Sequence, residues 1–308
     1  MNEMFLNIRM TLWDQMGNRA KAELLSDLFF HKTGRRPTEE LARFNDKIRW
    51  AMMFDPTLLK CKCTDKLAVR EYVADKIGEQ YLPAIYGAYD KPEDIDWDAL
   101  PERFILQHNA SSGRNIVVGG GKSRLDKGEA ARVMSGWLGH VYGRADGEMH
   151  YSLIPQKIIA RELLDIRTDI EVMMMCFNGR VEFIRTASWQ HSFGAKQSMG
   201  ERYYSRDWGD AGFQQISSPL APVAPKPKKL DLMIELAEKL AAGINHVRVD
   251  FYELANDDIM FSEMTFSNHA GWERYNTEEA ELRLGSLFQL PQRDADGFSR
   301  DGRHALGL

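Results

Sequence analysis

The run V-R-V-D-F-Y at Val247–Tyr252 constrains this chain more than any other segment; a polar E-L-A-N-D-D stretch separates it from S-E-M-T-F at Ser262–Phe266. Successive side chains of a strand alternate between faces. Arg248, Asp250 and Tyr252 therefore share one face, and Val247, Val249 and Phe251 share the other. On the returning strand Glu263 and Thr265 lie together, with Met264 and Phe266 opposite. An arginine and two carboxylates gathered on one hairpin are costly to bury unless a cation or phosphate accompanies them. Asp and Glu among oxygen-bearing neighbours suit magnesium, which takes one or two carboxylates together with substrate phosphates. A half-exposed hairpin with an incidental ion pair fits the same periodicity.

At 308 residues the chain has room for two or three subdomains and a sizeable core. Its hydrophobic and charged fractions, 44% and 28%, are those of an ordinary globular protein. The net charge of −5 and the brevity of its basic clusters (32–37 and 226–229) argue against nucleic acid as a partner. The opening M-N-E-M-F-L-N-I-R-M does not read as a signal peptide, and no apolar run reaches membrane-spanning length. A soluble, cytoplasmic protein without a transmembrane segment is expected; its oligomeric state is not legible. Cys61, Cys63 and Cys176 form no C-x-x-C pair, so reduced, unpaired thiols are expected, with Cys176 in the core.

Residues 1–60 read as helical, with one helix over 12–30 and another opening at Thr38 behind Pro37. A further helix, led by Thr64 and Asp65, is expected to stop at Gly78. Strand patterns follow at 82–89, 103–107 and 115–118, then a helix around 127–142. Asn178-Gly179 between two apolar runs is a hairpin signal. The proline-rich stretch 217–229 reads as a loop feeding a helix from Leu230, whose Met233, Leu236, Ala237 and Leu240 form a core-facing stripe. Beyond Pro291 the polar, glycine-bearing sequence predicts a mobile tail over 292–308.

Two loops invite a phosphate reading. Ala110-Ser111-Ser112-Gly113 lies between strand candidates, an arrangement that can lay backbone N–H groups over phosphates, although Ser-Ser-Gly is also ordinary turn chemistry. G-G-G-K-S at 119–123 is not a P-loop, because Ile116 stands where that motif needs glycine.

Taken in order, K-I-R-W (Lys47–Trp50), the block Cys63–Val73, F-I-L-Q-H-N-A-S-S-G-R-N, R-E-L-L (Arg161–Leu164), Asp169–Gly179 and the opening hairpin resemble the ATP-grasp superfamily. Within it they resemble the TupA-like proteins of teichuronopeptide biosynthesis, over roughly residues 40 to 272. The resemblance implies an ATP-grasp fold, two α+β subdomains clasping ATP, behind a mostly helical region at 1–60. The N-terminal and lid subdomains would occupy 61–160 and the C-terminal subdomain 161–291. It also implies ATP and Mg2+ as cofactors. Lys66 would reach the phosphates, and Ser111, Ser112 and Gly113 would form the lid. Glu162, Leu163 and Leu164 would be the adenine hinge, and Glu171 would hold the ribose. Asp250 and Glu263 would bind magnesium, and Arg248 would stabilise the transferred phosphoryl group.

Two departures stand out. The superfamily's second phosphate lysine falls at Gln107, which brings no charge and either weakens ATP binding or shifts the task to His108, Arg114 or Lys122. The hairpin's usual E-x-N is Glu263-Met264-Thr265, leaving Thr265 or Asn268 as the third metal ligand.

The activity implied is carboxylate–amine ligation through an acyl phosphate, with a cell-surface polysaccharide or sugar precursor as acid and an amino acid or peptide as amine. Substrate contacts are expected at Trp189, His191, Arg202 and Arg206. The alternatives are a sugar kinase built on the same grasp, or a non-catalytic nucleotide-binding subunit of an assembly complex.

Overall fold

A computed structural model describes residues 40–307, together with single positions 16, 17, 20, 23, 26, 27, 30, 31, 34 and 36. Thr38 and much of the helix expected over 12–30 lie outside the described residues. Within residues 40–307 three helices come first: α1 (Phe44–Phe54), α2 (Leu58–Thr64) and α3 (Val69–Ile77). The α1 helix begins after Arg43, without a side-chain cap, and buries Phe44, Ile48, Ala51 and Met52. Its Lys47 Nζ donates to the Gly285 and Phe288 carbonyls at 2.8 and 2.6 Å.

The helix expected from Thr64 to Gly78 begins only at Val69. Thr64 closes α2, and Asp65 is not a helix start but a turn residue, its Oδ1 accepting from Leu67 N and Asn109 Nδ2, both at 2.9 Å. Gly78, at φ 107°, ends α3 as expected. The break matters because Lys66 sits in the turn rather than on a solvated helix face.

Next come β1 (Ile85–Tyr89), β2 (Phe104–His108), β3 (Asn115–Val118), α4 (Lys127–Leu138) and β4 (Ile158–Glu162). The strands form an antiparallel sheet in the order β1-β4-β2-β3. Phe104, Leu106, Ile116 and Ala160 pack against Ala130, Met134 and Trp137 of α4. By strand alternation Ile105 and Gln107 face the other way.

The second sheet holds β5 (Ile170–Phe177), β6 (Arg180–Ser192) and β7 (Ala195–Ser205). After the proline-rich loop come α5 (Leu230–Ala241), β8 (His246–Glu253) and β9 (Ile259–Thr265), and the strand order is β7-β6-β5-β8-β9. Asn178 and Gly179 both take left-handed backbone, φ 52° and 81°, as a two-residue hairpin turn requires. Met233, Leu236, Ala237 and Leu240 of α5 cover one face, against Met174, Cys176, Val247, Val249 and Phe251. All three cysteines are free and buried. Alternation sends the intervening charged residues to the opposite face, toward the first sheet.

The chain finishes with α6 (Glu278–Leu287) and α7 (Arg300–Ala305). The segment expected to be a mobile tail is packed instead. Ser299 caps α7 through Gly302 N at 2.9 Å and bonds Asp55, while Phe298 is buried and meets Phe54 edge-on at 5.0 Å. Trp50 Nε1 donates to the Gly297 carbonyl at 2.9 Å. Polar composition misled here because the anchors are one aromatic ring and backbone groups. Among the described residues no helix is long and apolar enough to cross a membrane.

Candidate functional site

On β8 and β9, Asp250 stands opposite Glu263 and Arg248 opposite Thr265. Arg248 Nη2 lies 2.5 Å from Asp250 Oδ2, 2.9 Å from Glu263 Oε1 and 3.1 Å from Thr265 Oγ1, and its Nε lies 2.8 Å from Asp250 Oδ1. Asp250 has no exposed surface. Burial pushes its carboxyl up, and Arg248 pulls the other way; with both oxygens on a guanidinium, the pair is ionic. Three oxygen-bearing side chains thus converge on one positive group, a donor set that fits magnesium. Asn268, the other candidate third ligand, is fully buried with its Nδ2 turned to Met175 Sδ at 3.5 Å. Thr265 Oγ1, 3.3 Å from Glu263 Oε1, is already in the cluster.

Lys66 Nζ donates to the Ser111 carbonyl at 2.6 Å and stands 3.7 Å from Glu263 Oε2. The turn between α2 and α3 thereby ties the Ser111–Gly113 loop to the carboxylate hairpin. Gly113 adopts φ 76°, which lets the loop double back. Lys66, Ser111, Gly113, Gln107, Arg161 and Glu263 help line a cavity of about 50 Å³ between the sheets. Ligand pockets run to about 300–1,000 Å³. This one is smaller than a nucleotide requires.

The strand ahead of the hinge is rotated relative to expectation. Gln107 and Arg161 share the cavity face, with Arg161 Nε 2.6 Å from Gln107 Oε1. Glu162, expected at the base, points away and accepts from Ala84 N at 3.1 Å. Leu163 and Leu164 follow the end of β4, half-buried. Glu171 is fully buried, its oxygens accepting from Trp189 Nε1 at 2.7 Å and Ser262 Oγ at 2.6 Å. These contacts brace Trp189. The expected stand-ins for the missing lysine each have protein partners, and of the three only Arg114 is among the lining residues of the cavity. His108 meets Gln156 at 3.1 Å, Arg114 donates to the Trp137 carbonyl at 2.7 Å, and Lys122 to the Leu100 carbonyl at 2.8 Å.

A second cavity of about 470 Å³ adjoins the first and shares Glu263 with it. Ser112, Tyr142, Trp189, Arg185, Arg248 and Trp272 are among its lining residues. Of the expected substrate residues, Trp189 is here, while His191 lines the smaller cavity, its Nδ1 3.3 Å from Asn115 Oδ1. Arg202 and Arg206 line neither. Arg202 alternates with Glu201 and Tyr203 on β7, so parity sends it to the far side, where its Nε donates to the Ala221 carbonyl at 2.8 Å; Arg206, just past the end of β7, pairs with Glu238 of α5.

Sequence reasoning missed Arg185. It has no exposed surface and binds Glu201 at 2.6 Å and Glu273 at 2.7 Å, with His269 Nε2 at 2.6 Å. The signal was available: a charge in the middle of the apolar strand V-E-F-I-R. Glu148 was also missed. It lies on the cavity wall with Oε1 2.5 Å from Ser267 Oγ, and burial pushes its carboxyl up to about 8.

A polar sheet face bearing acid pairs and cations, closed by a loop from a second antiparallel sheet, is the arrangement of an ATP-grasp protein. The sequence profile described as TupA-like ATPgrasp matches residues 46–289, well over half of the chain. The chain belongs to the TupA-like ATP-grasp family. Among solved structures it is similar to the ATP-grasp ligase PsnB complexed with minimal precursor, at 14% identity and TM-score 0.32, covering 66% of this chain and 54% of that one. It is also similar to N5-carboxyaminoimidazole synthetase from Staphylococcus aureus complexed with ADP (12%, 0.38, 74% and 52%). A third is an L-amino acid ligase from Bacillus licheniformis (12%, 0.39, 68% and 44%). This chain spans about half the length of each. No curated protein matches the sequence. The family assignment rests on the profile.

Proposed function

We propose that this protein is an ATP- and magnesium-dependent carboxylate–amine ligase acting through an acyl phosphate. The observation that carries the reading is the meeting of two cavities at Glu263, with Arg248 beside it. The smaller is lined by the lid loop and by cations suited to phosphates; the larger is polar and aromatic, suited to an acceptor. Lys66 brings positive charge to the phosphates, and the Ser112 and Gly113 backbone is placed to cover them. Asp250, Glu263 and Thr265 would hold magnesium, which supplies charge neutralisation to the phosphoryl group in transfer. Arg248, at the junction, stabilises the same charge from the acceptor side.

A carboxylate oxygen attacks the γ-phosphorus, the bond to the β–γ bridging oxygen breaks, and ADP departs. The amine nitrogen then attacks the acyl carbon, the carbon–oxygen bond to phosphate breaks, and the amine's proton leaves with the phosphate. The stacking surface of Trp189 and Trp272, with Arg49 over the Trp272 ring at 4.1 Å, suits a sugar face. This favours a uronic acid of a cell-surface polysaccharide or its precursor as the acid, and an amino acid or peptide as the amine. The cytoplasm, where ATP is available, is the compartment this reading requires.

The test uses an acid labelled with oxygen-18 in its carboxylate. Ligation through an acyl phosphate delivers one labelled oxygen to inorganic phosphate and requires the amine for turnover. Phosphate without label, or a phosphorylated hydroxyl product formed without amine, contradicts the proposal.

A further inference from the structure

Among the described residues no carboxylate approaches Arg161, a cation lining the smaller cavity, within 4 Å. Of the other cations around the cavity, Lys66 faces Glu263 at 3.7 Å and Arg248 holds Asp250 and Glu263, while Arg114 is tied to the Trp137 and His140 carbonyls at the C-terminal end of α4. Arg161 makes only neutral contacts, Nε to Gln107 Oε1 at 2.6 Å and Nη1 to the Glu162 carbonyl at 3.0 Å. Burial works against its charge and pulls its pKa down. A buried cation in a protein is ordinarily paired, so one left with neutral partners at a cavity wall marks the place of an anion.

Gln107 sharpens the chemistry. Its acceptor oxygen is used on Arg161, leaving its amide nitrogen as the group it can offer a ligand. The corner formed by Gln107 and Arg161 therefore presents donors, which suits phosphate oxygens and not another donor. Strand register makes this possible: Ile105 stands opposite Arg161 and Gln107 opposite Ile159, so the two polar side chains rise from neighbouring strands on one face.

We propose that Arg161, oriented by Gln107, binds the phosphate chain of the nucleotide, so that the charge missing at position 107 stands on the adjacent strand. This rests on the nucleotide reading given above.

Titration calorimetry of the intact chain with Mg-ATP and with adenosine separates the two ideas. Wild type binds ATP if the nucleotide reading holds. Arg161→Gln should then weaken ATP by about 10- to 100-fold, the worth of a charge-assisted hydrogen bond, and leave adenosine within about threefold. Gln107→Lys combined with Arg161→Gln should recover much of the loss. Thermal unfolding of ligand-free Arg161→Gln should match or exceed wild type, because an unpaired buried charge has been removed. ATP binding by Arg161→Gln within about threefold of wild type, or an equal loss for adenosine, overturns the inference while the nucleotide reading stands. A wild-type protein that binds no ATP overturns both.

Discussion

Asp250 and Glu263 are cross-strand partners held by one guanidinium nitrogen, Arg248 Nη2, at 2.5 and 2.9 Å. Deleting that cation strands a buried carboxylate. Arg248→Met should cost about 3–5 kcal/mol of stability without divalent ions, as for other broken buried pairs. Magnesium, binding the released carboxylates, should restore part of it. Urea unfolding with and without magnesium checks both expectations; insensitivity of the variant to magnesium contradicts the metal assignment.

Glu148 sets a pH dependence. Its carboxyl is raised by burial to about 8 from the ordinary value near 4.5, with Ser267 opposing. The folded protein therefore holds this proton more tightly than the unfolded chain. Its contribution to stability is complete below about pH 4.5 and is lost as pH rises through about 8. Glu148→Gln should remove that decline, with a slope of at most about 1.4 kcal/mol per pH unit. Urea unfolding between pH 5 and 9 measures it, and parallel curves for variant and wild type would refute it.

His246 contributes the opposite slope. Its imidazole, bonded to the Cys176 carbonyl at 2.9 Å, is pushed down to about 3 from 6.5 by burial. The folded state resists protonation, so this stability is present above about pH 6.5 and is lost as pH falls toward 3. His246→Asn should flatten the acid limb of the stability curve between pH 6 and about 4. Unchanged acid sensitivity counts against it.

The arginine of the second cavity is a structural keystone as well as a wall. Arg185→Met leaves Glu201 and Glu273 buried without their cation and should cost about 3–5 kcal/mol, measured by urea unfolding. Tyr203 and Tyr275, which donate to Glu273 at 3.4 and 2.6 Å, cannot replace a charge. A loss below about 1 kcal/mol would show that these carboxylates are not held as ions.

The docked C-terminal helix predicts sensitivity at Gly302. A Cβ there would stand 2.5 Å from the Phe54 carbonyl oxygen and 2.7 Å from Asp55 Cα, backbone atoms that cannot swing aside. Gly302→Val should destabilise by about 1–3 kcal/mol through overpacking. Thermal unfolding tests this, and a neutral result would mean that the helix is not seated on α1.

Period-two alternation at Val247–Thr265 was legible because one face is apolar and packs on α5; the Asn178-Gly179 turn was legible because both positions need left-handed backbone. The same rule would have separated Arg161 from Glu162, had Gln107 been used to set the face. What stayed hidden depends on partners distant in sequence. Lys66 is fixed by a break at Asp65, which Asn109 stabilises, and no local pattern reports that contact. Arg202 and Arg206, expected as substrate contacts, are held instead by the Ala221 carbonyl and by Glu238, partners that no local pattern reports.

The central claim is that Asp250 and Glu263 serve an ATP-consuming ligation. The most direct measurement is ADP formation by the intact chain with Mg-ATP across a matrix of uronic acids and amino acids, run beside Asp250→Asn and Glu263→Gln. ADP should form where acid and amine are both present, and should fall by at least about 100-fold in each variant. A variant that matches wild type, or ADP formation indifferent to the amine, would contradict the account.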